Sequence, residues 1–452
     1  MKEKSFYKKL LIIALPIMIQ YFITSCLNMM DSLMIGSLGE EAVAGLGIAN
    51  QFYFIFNIML MGTYSGAGVL ISQYFGSKDM INIKKIIGIS LSIGVLLGVS
   101  FFITGYVFNE NIIMLFDKNP LVVSLGSNYL KIVVISYVFM SFTFAFGISS
   151  RSIGQAYVPM MTSAMALLFN IILNYGLIFG KLGMPKLGVD GAAYATVISR
   201  FIEMVVMISY IYLGKSPLKS KLSELKSFDK EFFKRTFNVI LPVVINEICW
   251  GLGFVIYSLM YGKLGTKAIA SVQICLTLQN IFMIILFATA NASCVMLGTK
   301  VGEGDLKGVK EYSSKFMRIT VVLGILMGAS ICIFAPHILS IYKVSAEVLT
   351  STKYLLYITG FLIPVRFIAV LLIVGILRGG GSSDIALKIE LATMWGVGVP
   401  ICFIGAVILK LPVYQVFAFV GIEEIVKCIA CIIVYKKGNW IKNLTSVDAK
   451  AC

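Results

Sequence analysis

Histidine is almost absent: the 452-residue chain has one, His337. That leaves little for imidazole-based metal sites or triad chemistry, and nothing completes a zinc set around the C-x-x-C at Cys428 and Cys431. The nine cysteines sit mostly in apolar runs, where a thiol serves as a small apolar side chain. Charge is also scarce, at 13% against about 25% in soluble domains, which excludes a soluble globule. No G-x-x-x-x-G-K-[ST], G-x-S-x-G or H-E-x-x-H occurs, so neither ATP-driven pumping nor hydrolysis is encoded by a known motif. The Gly-rich RGGGSSD, Arg378 to Asp384, lacks the lysine of a phosphate loop and reads as a turn. The chain reads as a non-enzyme without cofactors.

Apolar sequence is abundant instead. At 58% hydrophobic residues the composition supplies on the order of twelve spans of roughly 20 residues each. Hydropathy places them near 10–36, 48–72, 86–107, 129–148, 158–180, 190–213, 237–262, 271–298, 318–340, 355–377, 390–409 and 413–435. The first run resembles a signal sequence, with ITSC ending at Cys26, but it continues through Ile35 and reads as an intact span. The expected organisation is all-α and polytopic: an N-lobe of six transmembrane helices over 1–213, a basic cytoplasmic inter-lobe loop at 214–236, a six-helix C-lobe over 237–435 and a cytoplasmic tail at 436–452.

An internal repeat supports two pseudo-symmetric lobes. LPIMIQYFITSCLNMMDSLMIGSLG from Leu15 lies over LPVVINEICWGLGFVIYSLMYGKLG from Leu241 at an offset of 226, with nine of 25 positions identical. The register pairs Pro16 with Pro242, Gly76 with Gly302 and Asp79 with Asp305, and a one-residue slip pairs Arg151 with Arg378. An even number of spans per half makes the repeats parallel. Most of the 38 Lys and Arg fall in loops on one side, which places both termini in the cytoplasm and reads the net charge of +16 as topogenic and lipid-facing. Nucleic-acid binding is not expected.

Acids inside hydrocarbon are functional candidates, since a carboxylate there costs several kcal/mol unless paired, protonated or ion-bound. Asp31 lies late in the first span, and Gln20, Thr24 and Asn28 draw one polar stripe toward it. Glu247 shares a face of the seventh span with Trp250, Phe254 and Tyr257, a combination suited to a cation or substrate through charge and ring faces. The repeat aligns Asp31 with Tyr257 and Glu247 with Tyr21, so the scaffold is duplicated and the charges are not. Asn170 and Asn174 are one helical turn apart, Arg200 and Glu203 are expected to pair, and Lys427 is expected to pair with Glu423 and Glu424. Asn50, Asn57, Gln273, Thr277 and Asn280 add polar lining.

MMDSLMIGSLG, the GSKD and GEGD turns, RSIGQAYVP, NIILNYGLIFG with LGVDGAAYATVIS, INEICW and ILRGGG together resemble the multidrug and toxic compound extrusion (MATE) transporters over essentially the whole chain. The resemblance implies a V-shaped, twelve-helix antiporter that exports organic, often cationic drugs by alternating access, driven by H+ or Na+. It makes Asp31 the N-lobe coupling carboxylate, with Na+ as one candidate ion, and Asn170, Asn174 and Thr196 its neighbours; many members carry Asp where this chain has Asn174. Glu247 becomes the C-lobe carboxylate. A monomer in the cell membrane is expected, with small organic cations and membrane lipids as partners. The alternative is a flippase for a lipid-linked oligosaccharide or another amphipathic substrate.

Overall fold

The computed structural model describes residues 2–445 apart from 215, 341 and 343, and their side chains apart from those of residues 2–4 and 28. Asn28 of the polar stripe, and 446–452 of the expected tail, thus lie outside the described side chains or residues.

Every element among the described residues is helical, as a bilayer requires of segments that must satisfy their own backbone hydrogen bonds. The first half runs α1 (Lys2–Gly36), α2 (Glu40–Gly76), α3 (Met80–Val107), α4 (Asn109–Met114), α5 (Pro120–Val133), α6 (Ile135–Ser152), α7 (Tyr157–Phe179) and α8 (Val189–Leu213). A short α9 (Leu222–Leu225) leads to α10 (Lys230–Lys263), α11 (Thr266–Gly302), α12 (Leu306–Leu339) and α13 (Ala346–Val370). The chain ends with α14 (Ser383–Glu390), α15 (Val399–Phe403) and α16 (Val413–Lys437), with π-helical turns at Leu371–Leu377, Leu391–Gly398 and Ile404–Ile408.

Among the described residues ten helices are long and apolar enough to cross a bilayer, and α5 with α6, bent by 43°, makes an eleventh if the pair is one span. The fourth span, expected as 129–148, is therefore two helices meeting at Val134, which is fully buried against the glycine-lined face of α3 at Gly105. α16 is not among these spans, and Glu423, Glu424 and Lys427 on it find charged partners inside the protein. The repeat is visible in local geometry: Asp79 caps α3 by accepting from the Asn82 N–H, and Asp305 caps α12 by accepting from the Gly308 N–H.

Two compact units result. The N-unit comprises Leu15–Ile71 and Lys78–Val244, and the C-unit comprises Met1–Ala14, Ser72–Ser77 and Ile245–Cys452. Ends are exchanged relative to the boundaries expected at 213 and 237. The physical reason is length: α1, α2 and α10 have 35, 37 and 34 residues, well beyond the roughly 20 that cross a bilayer, and their overhanging ends pack elsewhere. Phe6 of α1, for example, is fully buried in the C-unit between the rings of Tyr312 and Phe316. The N-unit core gathers Phe56, Leu60, Tyr64, Leu130 and Tyr137; the C-unit core gathers Tyr261, Leu355, Phe367 and Cys402. Cys428 and Cys431 are buried free thiols.

The connection at 214–236 is a docked element rather than an open loop. Leu218 and Leu225 are buried, Gly88 lets the Leu225 carbonyl approach α3, and Lys84 Nζ lies 2.9 Å from Glu224 Oε1. Lys84 and the Lys221 N–H hold the Glu224 carboxyl below its usual range.

The chain after α16 is likewise docked. It reverses at Gly438 (φ 76°), buries Trp440 and passes through RGGGSSD. Lys442 N–H donates to Gly380 O at 2.7 Å, Ser382 Oγ to Trp440 O at 2.9 Å, and Leu444 N–H to Gln73 Oε1 at 2.8 Å. A side chain at Gly380 would meet the Trp440 ring at 2.3 Å, so the glycines of this turn cradle the returning chain.

Candidate cation and substrate site

Gln20 and Asp31 of α1 meet α7 inside the N-unit, through Ser163 and Asn174. Asn174 Nδ2 donates to Asp31 Oδ1 at 2.5 Å and contacts Asn170 Oδ1 at 3.0 Å. The turn of helix that puts Asn170 and Asn174 on one face buries both. Asp31 and Thr196 line a cavity of about 50 Å³ with Asn50, Tyr53, Tyr129 and Arg200, room for one or two water-sized occupants. Asn174 Oδ1 and Thr196 Oγ1 are buried without a hydrogen-bond partner. A half-buried carboxylate beside two unsatisfied neutral oxygens is a donor set for a proton or a small monovalent cation, since buried polar groups otherwise find partners. All four N-lobe residues expected at the coupling site are thus in one place.

A chain of polar contacts leads away from this cavity. Arg200 Nη1 pairs with Glu203 Oε2 at 2.7 Å, as the i, i+3 spacing predicts. Ser163 Oγ donates to Glu203 Oε1 at 2.8 Å, Gln20 Nε2 donates to Ser163 Oγ at 2.9 Å, and Arg151 donates to Gln20 Oε1. These groups border a second N-unit cavity of about 250 Å³, where Thr24 and Asn57 also lie, and the two cavities share Tyr53 and Arg200. Ser163 and Tyr53 were not legible as site residues: a serine or tyrosine in an apolar span carries no signal until its neighbours are known.

The C-unit differs from expectation. Glu247 accepts from Arg378 Nη1 at 2.8 Å, and Asn246 Oδ1 accepts from Arg378 Nη2 at 2.5 Å. The charge expected to meet a cation already has an internal one. Nor do Glu247, Trp250 and Tyr257 form one site. Sharing a face fixes direction around the axis, yet ten residues separate Glu247 from Tyr257, about 15 Å of helical rise. Trp250 contacts Phe254, with ring centroids 5.6 Å apart, while Tyr257 is buried near Gly398 and Glu423. Gln273 and Asn280 lie exposed on α11, whose buried amide in this stretch is Gln279.

The C-unit's buried charges centre on Lys427, whose Nζ lies 2.7 Å from Glu423 Oε1 and 2.8 Å from Glu390 Oε1. Glu424, expected on Lys427, pairs with Arg366 at 3.0 Å. Glu390 was missed because it opens the eleventh span, where a charge reads as a boundary residue. Among the described residues no group of three or more His, Cys, Asp and Glu could hold a metal ion.

Comparison with known proteins places this geometry. The MatE family model matches residues 16–176 and 242–404, once per repeat, each match opening on the paired prolines Pro16 and Pro242. The chain is 25% identical over 420 residues to the probable multidrug resistance protein YoeA of Bacillus subtilis, covering 92% of this chain and 90% of that one. It is 23% identical over 440 residues to the probable multidrug resistance protein NorM of Thermotoga maritima, covering 96% and 93%. In fold it superposes on a mutant of the Vibrio cholerae MATE transporter VcmN with a TM-score of 0.88 at 17% identity, over 98% of both chains. A Pyrococcus furiosus MOP-superfamily transporter, described as having a binding pocket of reversed polarity, superposes with a TM-score of 0.87 at 18% identity over 97% of both. With an all-helical fold and a family domain in each half, the chain belongs to the MatE family of membrane transporters.

Proposed function

We propose that this transporter exports organic, often cationic compounds in exchange for H+ or Na+ by alternating access. The observation that carries the reading is Asp31, a carboxylate set against buried amides at a cavity in the N-unit. The names of the relatives, probable multidrug resistance proteins, support the substrate class. Ionised, Asp31 attracts a cationic substrate; neutralised by a proton or by Na+, it releases that substrate, and the competition converts an ion gradient into export. The protein acts as a monomer in the cell membrane, in contact with its lipids and with both termini cytoplasmic. The flippase reading is weaker, because the bases Arg200, Arg366, Arg378 and Lys427 are paired with carboxylates and leave little field for a pyrophosphate head group.

Purified protein in liposomes, given ethidium and an imposed Na+ or H+ gradient, tests this directly. Ethidium should move against its own gradient under one of the two ions and stop when that gradient is collapsed. Equal movement with and without either gradient would refute antiport.

A further inference from the structure

The C-unit has a cavity of about 430 Å³ at the end of α10 remote from the inter-lobe connection. It forms where α10 ends, α11 and α13 begin, and the chain turns into α16. Among the described residues its charged groups are Lys263, Lys267, Lys410 and Glu347, all exposed. Lys267 pairs with Glu347, while Lys263 and Lys410 are in no ion pair among the described residues. Three lysines against one acid leave two positive charges. With both termini cytoplasmic, as proposed above, this is the outer face, where the rule that explains the basic surplus of the other face disfavours lysine. Topology therefore does not account for these three.

Lys410 also sits in an unusual backbone conformation, left-handed with φ 48°. Leu409 N–H on Ile404 O at 2.9 Å and Leu411 N–H on Gly405 O at 3.0 Å fix this turn, and glycine is the unstrained residue at such a helix end. The lysine keeps an ammonium at the cavity at the expense of backbone strain. Immediately before it, Ile404, Ile408 and Leu409 are exposed, so an apolar face for acyl chains leads up to the lysines. A cluster of cations above exposed aliphatic side chains matches one kind of molecule, an amphiphile with an anionic head. We propose that this cavity holds the phosphate head group of an anionic glycerophospholipid of the outer leaflet, with its acyl chains along Ile404, Ile408 and Leu409. Lysine binds phosphate as a point charge, and basic pockets between membrane helices are suited to such head groups. The choice of leaflet rests on the orientation proposed above; the binding does not.

The test is native mass spectrometry of the purified full-length protein, titrated with dioleoyl phosphatidylglycerol and, separately, with dioleoyl phosphatidylcholine. Phosphatidylglycerol should be held at least about tenfold more tightly, since each lysine near a head group contributes about fivefold. The opposite face is basic too, so the variants decide. Lys263→Gln combined with Lys410→Gly should lose one tightly held phosphatidylglycerol. Lys226→Gln combined with Lys230→Gln, the same change of charge in the inter-lobe connection, should keep it. Glu347→Gln, which removes the acid from the cavity, should tighten the lipid by about fivefold, a change of sign that damaged packing does not produce. Glycine at 410 relieves the backbone, and thermal unfolding of each variant shows that the fold is kept. No phosphatidylglycerol retained by the parent chain, unchanged retention in the Lys263 and Lys410 variant, or an equal loss in the Lys226 and Lys230 variant would overturn the proposal. Inorganic phosphate displacing phosphatidylglycerol at equal concentration would overturn the lipid as occupant. Binding needs no gradient, so this site can fail while ethidium export stands, and can stand while export fails.

Discussion

Asp31→Asn should reduce gradient-driven ethidium export to the uncoupled leak, a fall within the range of about 5–150-fold set by typical coupling free energies. Asparagine is nearly isosteric with aspartate, and its carbonyl can still accept from Asn174, which now bonds Asp31 at 2.5 Å. Packing and fold should be preserved, with monodisperse protein and an unchanged unfolding temperature. What is lost is the charge for which substrate and coupling ion compete. The contrasting variant is Glu247→Gln. Because Glu247 is engaged by Arg378 at 2.8 Å, its loss should lower stability by leaving Arg378 short of a partner, and affect coupling less than Asp31→Asn. Full export by Asp31→Asn in liposomes would remove Asp31 from the mechanism.

The second large effect concerns stability. Lys427→Met should destabilise the C-unit by about 3–5 kcal/mol, because it leaves Glu423 and Glu390, both almost fully buried, without their shared cation. The attraction lost is only part of this; the larger part is the cost of a carboxylate kept from water with nothing opposite it. Thermal unfolding in detergent reads the effect. A variant combining Lys427→Met with Glu390→Gln and Glu423→Gln should recover most of the loss, since removing a buried ion cluster whole is often close to neutral. Lys427→Met as stable as the parent chain would show that water reaches these groups and that they are not desolvated.

Much of the fold was legible because hydrocarbon imposes simple rules. Apolar runs long enough to cross a bilayer became helices, and Pro16 with Pro242 and Asp79 with Asp305 exposed the repeat. Arg151 and Arg378, aligned after a one-residue slip, turned out to occupy matching structural places. The site near Asp31 was legible for the same reason, since Gln20, Thr24 and Asp31 follow helical spacing. What was not legible depends on partners distant in the chain. Glu247 looked free because Arg378 is 131 residues away, and Glu424 looked like a partner of Lys427 because i+3 neighbours were visible and Arg366 was not. The docked chain around Trp440 was hidden because a short polar tail has no periodicity to read. The bend at Val134 was missed because hydropathy measures how apolar a segment is, not whether its axis is straight.

The most direct measurement of the exchange at Asp31 is the binding of ethidium to purified protein, titrated against Na+ at fixed pH and against pH at fixed Na+. Competition for one carboxylate predicts that apparent affinity falls as one of the two cations rises, with about one cation displaced per ethidium, and that Asp31→Asn shows no such dependence. Ethidium affinity unchanged by both ions in the parent chain, or an unchanged ion dependence in Asp31→Asn, would contradict it.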